Sequence, residues 1–232
     1  MFTSRFQAWV RRNAQRLAAA LARLPVTPNQ VTVAGMLATF VAGALAGLGY
    51  LLAAGIVLAI SGTFDILDGA LARATKTSYT YGAFLDSTTD RYSEGAVYLG
   101  IAAYFLTHPS PDMKIKVLGC MVALAGSYLV SYVRARAQSL GFKCDVGLFA
   151  RPERVVATVI GLVFPVILPF VIYLLAVLTN FTALQRIHEV WLQGREQRRA
   201  AEAASMNSSQ DQATVPSALR ASPSSAAPKT RP

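Results

Sequence analysis

The sequence predicts an all-α integral membrane protein, a bundle of six transmembrane helices preceded by an amphipathic helix at the membrane surface. Three observations predict it. Of the 232 residues, 53% are hydrophobic and only 15% charged, an excess of apolar side chains for one globular domain of ordinary surface chemistry. Between Val31 and about Leu192, six apolar stretches, each near the ~20 residues that cross a bilayer, are separated by short polar or Pro/Gly breaks. With six crossings, every Lys and Arg except Lys114 and Lys116 falls on one side, and the positive-inside rule makes that side the cytoplasm.

Residues 1–26 are expected to form a juxtamembrane helix. Phe6, Trp9, Val10, Leu17, Leu21 and Leu24 share one helical side, while Arg5, Arg12, Arg16 and Arg23 take others, the pattern of a helix lying in the headgroup layer. The arginines also interrupt any signal-peptide core. Residues 27–193 are the six-span domain, with crossings near 31–48, 51–73, 82–107, 115–139, 152–168 and 170–192. Gly43, Ala44, Gly47 and Gly49 allow close helix contacts around the first crossing. The turn "ATKTSYTY" is short, so the second and third crossings are antiparallel neighbours. Cys120 falls mid-helix in the fourth and Cys144 in the following cytoplasmic loop, which argues against a disulfide or a thiol metal site. Pro152 suits the first turn of the fifth. From Gly194 the composition turns polar and then Ser/Ala/Pro-rich, so 194–232 are expected to be a disordered cytoplasmic tail. The net charge of +10 suits anionic lipid headgroups. It does not point to nucleic acid, because no basic stretch is interleaved with aromatics.

The chemistry lies in "FDILDGALARATKTSYTYGAFLDSTTDR", residues 64–91. Residues three and four apart share a helix face. Asp65, Asp68, Gly69, Ala72 and Arg73 therefore form one stripe, and Gly82, Asp86 and Asp90 a second on the antiparallel neighbour. An Asp at a membrane-helix centre costs roughly 2.5–3.5 kcal/mol, and Arg73 and Arg91 cannot balance four carboxylates. Clustered oxygen ligands suit hard divalent cations such as Mg²⁺, and two such ions can clamp the attacking and leaving oxygens of a phosphoryl displacement. Gly69 and Gly82 leave room for a bulky ligand beside them. The alternatives are small residues serving only helix packing and acids lining a transport or cation pathway.

The spacing D-x2-D-G-x2-A-R-x8-G-x3-D-x3-D runs without departure from Asp65 to Asp90 and resembles the signature of the CDP-alcohol phosphatidyltransferase family. "TPNQVT" ahead of the first crossing, the six crossings and the interfacial helix are similar to the family plan over roughly residues 1–192. The resemblance implies transfer of a phosphatidyl group from CDP-diacylglycerol to an alcohol with release of CMP, by a homodimer in the cell membrane with its site facing the cytoplasm. It implies Asp65, Asp68 and Asp86 as ligands of two Mg²⁺ or Mn²⁺ ions, and Asp90 as the general base that also reaches a metal. It implies contacts to the CDP-lipid from Asn29, Thr32, Gly69, Arg73, Tyr79 and Gly82.

Arg134 and Arg136 close the fourth crossing, Arg151 and Arg154 open the fifth, and Arg186 lies near the cytoplasmic end of the sixth. Helix-end anchoring accounts for some of them. Three arginines arriving from three helices at one level also suit a phosphorylated acceptor, because the guanidinium fork matches phosphate oxygens. The cluster resembles that of prokaryotic phosphatidylinositol phosphate synthases, which implies inositol 1-phosphate held by Ser131, Arg134, Arg154 and Arg186. Arg134 departs from the lysine more usual there. Glycerol 3-phosphate carries the same phosphate handle and is the alternative acceptor.

Overall fold

A computed structural model describes residues 26–75, 80–147 and 149–214, with side chains through residue 206. The expected N-terminal interfacial helix, Tyr79 and the last part of the tail lie outside the described residues. Among the described residues six α-helices follow one another: α1 Pro28–Gly47, α2 Leu51–Thr75, α3 Thr80–Thr107, α4 Met113–Ser139, α5 Arg151–Val163 and α6 Leu168–Thr214, with a 3₁₀ turn Pro165–Ile167 before the last.

Local chemistry sets the start of α1. Gln30 N–H donates to Thr27 Oγ1 at 3.3 Å and Thr27 N–H to Gln30 Oε1 at 2.9 Å. This reciprocal box satisfies two otherwise orphaned donors, and Pro28 occupies a position where no N–H is needed. "TPNQVT" is thus a helix-start signal as well as part of a family pattern.

The first compact unit ends at Ile187. In it α1 packs on α2 and α3, α2 on α5, and α3 on α4, around a core that includes Ala46, Ala54, Leu58, Ile101, Leu162, Ile172 and Leu175. The α1–α3 crossing is very close. A Cβ on Gly43 would stand 2.5 Å from the carbonyl oxygen of Ala96, and one on Gly100 would meet the Gly43 carbonyl oxygen. Gly43→Ala is therefore expected to destabilise the bundle by about 1–3 kcal/mol through overpacking, read as a lower unfolding temperature in detergent.

Among the described residues four helical stretches, Pro28–Gly47, Leu51–Thr75, Met113–Ser139 and Pro165–Met206, are long and apolar enough to cross a membrane. Leu37, Ile56, Leu99, Leu118 and Phe170 are more than half exposed, as a lipid-facing surface requires. The other two expected crossings differ for identifiable reasons. α3 carries Asp86, Asp90, Arg91 and Glu94 between its start and its middle. α5 has 13 residues, about 20 Å at 1.5 Å per residue, and ends at 163 rather than 168. Pro165 lacks the N–H that would continue the helical ladder, and the chain takes its 3₁₀ turn there.

The second unit begins at His188. The sequence reading closes the last helix at 192 and begins a disordered tail at 194, whereas helix continues to Thr214. The extension is rich in Ala, Arg, Glu and Gln, all strong helix formers. Within it Arg195 stacks on Trp191 at 4.6 Å, and Gln193 Nε2 donates to Glu189 at 2.9 Å.

Candidate active site

The two acidic stripes meet as their helical spacing requires, α2 carrying Asp65 and Asp68, α3 carrying Asp86 and Asp90. Asp68 and Asp86 line one cavity of about 180 Å³ together with Pro28, Asn29, Thr32, Gly69, Ala72, Arg73, Gly82 and Ala83. Five of the six residues expected to touch the CDP-lipid are in that lining, and the sixth, Tyr79, lies outside the described residues. Asp68 is buried and accepts a hydrogen bond from Thr32 Oγ1 at 2.6 Å, which ties the N-terminal part of α1 to α2. The positive end of the α1 dipole favours anions at this place. Cβ atoms added at Gly69 and Gly82 would lie 3.5 Å from Arg73 Nη1 and from Asn29 Oδ1, ordinary contacts, so a side chain there would extend into the cavity without forcing the helices apart.

Asp65 and Asp90 face a different partner. Arg151, at the start of α5, gives one nitrogen to Asp65 Oδ2 and the other to Asp90 Oδ1, the second at 2.7 Å. Arg91 adds a 3.3 Å contact to Asp90 Oδ2. The four carboxylates offer only oxygen donors, the kind that a hard divalent ion prefers. Among the described residues, no three His, Cys, Asp or Glu side chains are gathered into a finished coordination group; Asp65 and Asp90 instead share a guanidinium.

Glu94 is the residue the sequence reading missed. It continues the Gly82, Asp86, Asp90 series by one more step of four and lies one turn deeper in the bundle. Its Oε1 accepts from Arg154 Nε at 2.8 Å and Nη2 at 2.6 Å, and Arg91 Nε stands 3.6 Å from its Oε2. Both members of the Glu94–Arg154 pair are buried. They line a second cavity of about 40 Å³ with Thr39, Ser61, Ser93, Tyr98, Thr158 and also Asp65 and Arg151. That space suits a few water molecules.

The four residues expected at the acceptor phosphate are not gathered in one lining. Arg154 is bound by Glu94, and its Nη1 donates to the Phe149 carbonyl at 3.3 Å. Arg134 pairs with Asp145 at 2.9 Å, and Ser131 lines an α3–α4 groove with Ser87, Arg91, Tyr128 and Tyr132. Arg186 is buried, and its hydrogen bonds run to backbone carbonyls, Nε to Val146 at 2.9 Å and Nη1 to Val130 at 2.6 Å, rather than to a carboxylate. The loop that supplies Val146 depends on Gly147, whose φ of +141° favours glycine and whose added Cβ would lie 2.7 Å from Thr182.

Comparisons with known proteins bear on this site. Residues 25–187 match the family described as CDP-alcohol phosphatidyltransferase. The chain is 38% identical over 174 residues to the archaetidylinositol phosphate synthase of Methanothermobacter thermautotrophicus, covering 73% of this chain and 85% of that one. It is similar to the crystal structure of Mycobacterium tuberculosis phosphatidylinositol phosphate synthase with CDP-DAG bound, with a TM-score of 0.71 and 34% identity over 78% of this chain and 94% of that one. The same enzyme in complex with manganese and citrate matches with a TM-score of 0.71 and 34% identity, covering 77% of this chain and 88% of that one.

Proposed function

The chain belongs to the CDP-alcohol phosphatidyltransferase family, and from that premise we propose that it transfers the phosphatidyl group of CDP-diacylglycerol to D-myo-inositol 1-phosphate, giving phosphatidylinositol phosphate and CMP. The observation that carries this reading is the single cavity in which Asn29, Thr32, Gly69, Arg73 and Gly82 adjoin Asp68 and Asp86. Arg73 offers its fork to the diphosphate, the first turn of α1 adds its positive dipole end, and the two glycines leave the nucleotide its space. Two divalent ions, Mg²⁺ or Mn²⁺, held by Asp65, Asp68 and Asp86 with Asp90 in reach, would offset the charge of the diphosphate. Asp90 takes the proton of the acceptor hydroxyl as that oxygen bonds to the phosphatidyl phosphorus and the bond to the CMP oxygen breaks.

Arg186 supports a phosphorylated acceptor. Among the described residues its hydrogen bonds run to carbonyl oxygens and not to a carboxylate, so a phosphate arriving there would meet a buried cation without a directly bonded carboxylate. Relatives named for inositol phosphate lipids favour inositol 1-phosphate over glycerol 3-phosphate. The Lys/Arg distribution supports a site and both termini on the cytoplasmic side of this multi-pass membrane protein, and the family resemblance supports a homodimer.

The test is CMP release by purified protein from radiolabelled CDP-diacylglycerol, offered inositol 1-phosphate, glycerol 3-phosphate, inositol and serine in parallel. Turnover is expected with inositol 1-phosphate, stopped by a chelator and restored by Mg²⁺ or Mn²⁺. Preferred use of glycerol 3-phosphate would overturn the acceptor. In the same assay Gly82→Val is expected to raise KM for the CDP-lipid several-fold with little change in unfolding temperature, because the added side chain enters the cavity.

A further inference from the structure

Arg151 is not part of the nucleotide cavity, yet it makes the closest charged contacts in the carboxylate set. It bridges Asp65 on α2 and Asp90 on α3 from a third helix, 86 residues along the chain from Asp65. Its own satisfaction is incomplete: Nε is buried without a hydrogen-bond partner among the described residues, although a guanidinium has five N–H donors to place. One turn along α5, Arg154 is held by Glu94 through two nitrogens, so the helix is anchored independently of Arg151. The geometry points to Arg151 as an exchangeable counter-ion: the guanidinium and a divalent cation are alternative partners of Asp65 and Asp90, and binding the ion requires Arg151 to give up carboxylate oxygens. This inference rests on the proposed metal-dependent reading.

Charge and donor count govern the exchange. Two carboxylates brought together from adjacent membrane helices repel unless a cation lies between them, and Arg151 provides that cation within the fold. A hard divalent ion seeks the same oxygens. Because the Glu94–Arg154 pair fixes the start of α5, the exchange needs only a rotation of the Arg151 side chain. Arg91 is the natural control. Among the described residues it touches Asp90 at 3.3 Å and Glu94 at 3.6 Å and makes no ion pair to Asp65, so its removal deletes the same unit charge without freeing both carboxylates.

Mn²⁺ affinity of the detergent-purified protein, read from the free-ion electron paramagnetic resonance signal, tests this without turnover. Arg151→Gln is expected to tighten Mn²⁺ binding about tenfold, close to 1.4 kcal/mol, and Arg91→Gln to change it clearly less. Unaltered or weaker binding in Arg151→Gln, or an equal gain in Arg91→Gln, would overturn the exchange. Should Arg151→Gln fail to fold, the wild-type protein still decides it: phenylglyoxal modification of Arg151, followed by mass spectrometry, is expected to speed up when Mn²⁺ is added, and a constant or slower rate would refute the proposal. Absence of any Mn²⁺ binding by the folded wild type would instead sink the metal-dependent reading itself.

Discussion

Asp90→Asn is expected to reduce CMP release by about 10²–10⁴-fold, the usual worth of a positioned general base, while CDP-lipid binding stays measurable. An alcohol is a weak nucleophile near neutral pH, and its proton must leave as the new bond to phosphorus forms. Asn preserves the size of the side chain and part of its hydrogen bonding to Arg151 and Arg91, but it has no basic oxygen to receive that proton. The nucleotide cavity is lined by Asp68 and Asp86 rather than Asp90, which is why binding and turnover should separate. Equilibrium binding of the CDP-lipid and single-turnover CMP release, measured on the same preparation, check this. Retained turnover would reject Asp90 as the base, and loss of binding together with turnover would make holding the metal, not taking the proton, its main contribution.

The largest effect on stability is expected at the Glu94–Arg154 pair. Both side chains are buried, 7% and 3% exposed, and removing one partner leaves an uncompensated charge, which typically costs 3–5 kcal/mol. The two single changes should differ. Glu94→Leu leaves Arg154 without a carboxylate, holding only the Phe149 carbonyl, and also deprives Arg91 of a partner. Arg154→Leu leaves Glu94 near Arg91 at 3.6 Å and should be the milder of the two. The double variant Glu94→Leu with Arg154→Leu should recover most of the loss, since replacing a buried pair by apolar residues of similar size is often neutral. Thermal unfolding of the four proteins in one detergent measures the coupling. Additive losses would mean that the pair contributes no interaction of its own, and that Glu94 and Arg154 act on separate parts of the bundle.

Much of this molecule is legible before any coordinates. The crossings announce themselves because a membrane demands long apolar runs, and all six helix starts among the described residues fall within three residues of the expected ones. Asp65 and Asp68, and Asp86 and Asp90, fall on shared faces because the α-helical repeat is local and regular. The departures are equally physical. A stretch counted as part of the fifth crossing breaks at Pro165, and helix formers after Gly194 extend α6 to Thr214 despite their polarity. Glu94 was open to discovery by continuing the four-residue step, but its apolar neighbours Ala96 and Val97 make it read as an ordinary acid at the edge of a crossing.

The sequence by itself determined the helical framework, which faces carry carboxylates and which carry glycine, and hence the class of chemistry those faces suit. Tertiary structure alone decided how the charges pair: Arg151 with Asp65 and Asp90, Arg154 with Glu94 at a separation of 60 residues, and Arg186 with backbone carbonyls. The reason is that helical periodicity is set by hydrogen bonds within a few residues, so it is written locally. The partner of a long cationic side chain depends on how three helices are rotated and docked against one another, and that follows from packing of the whole bundle.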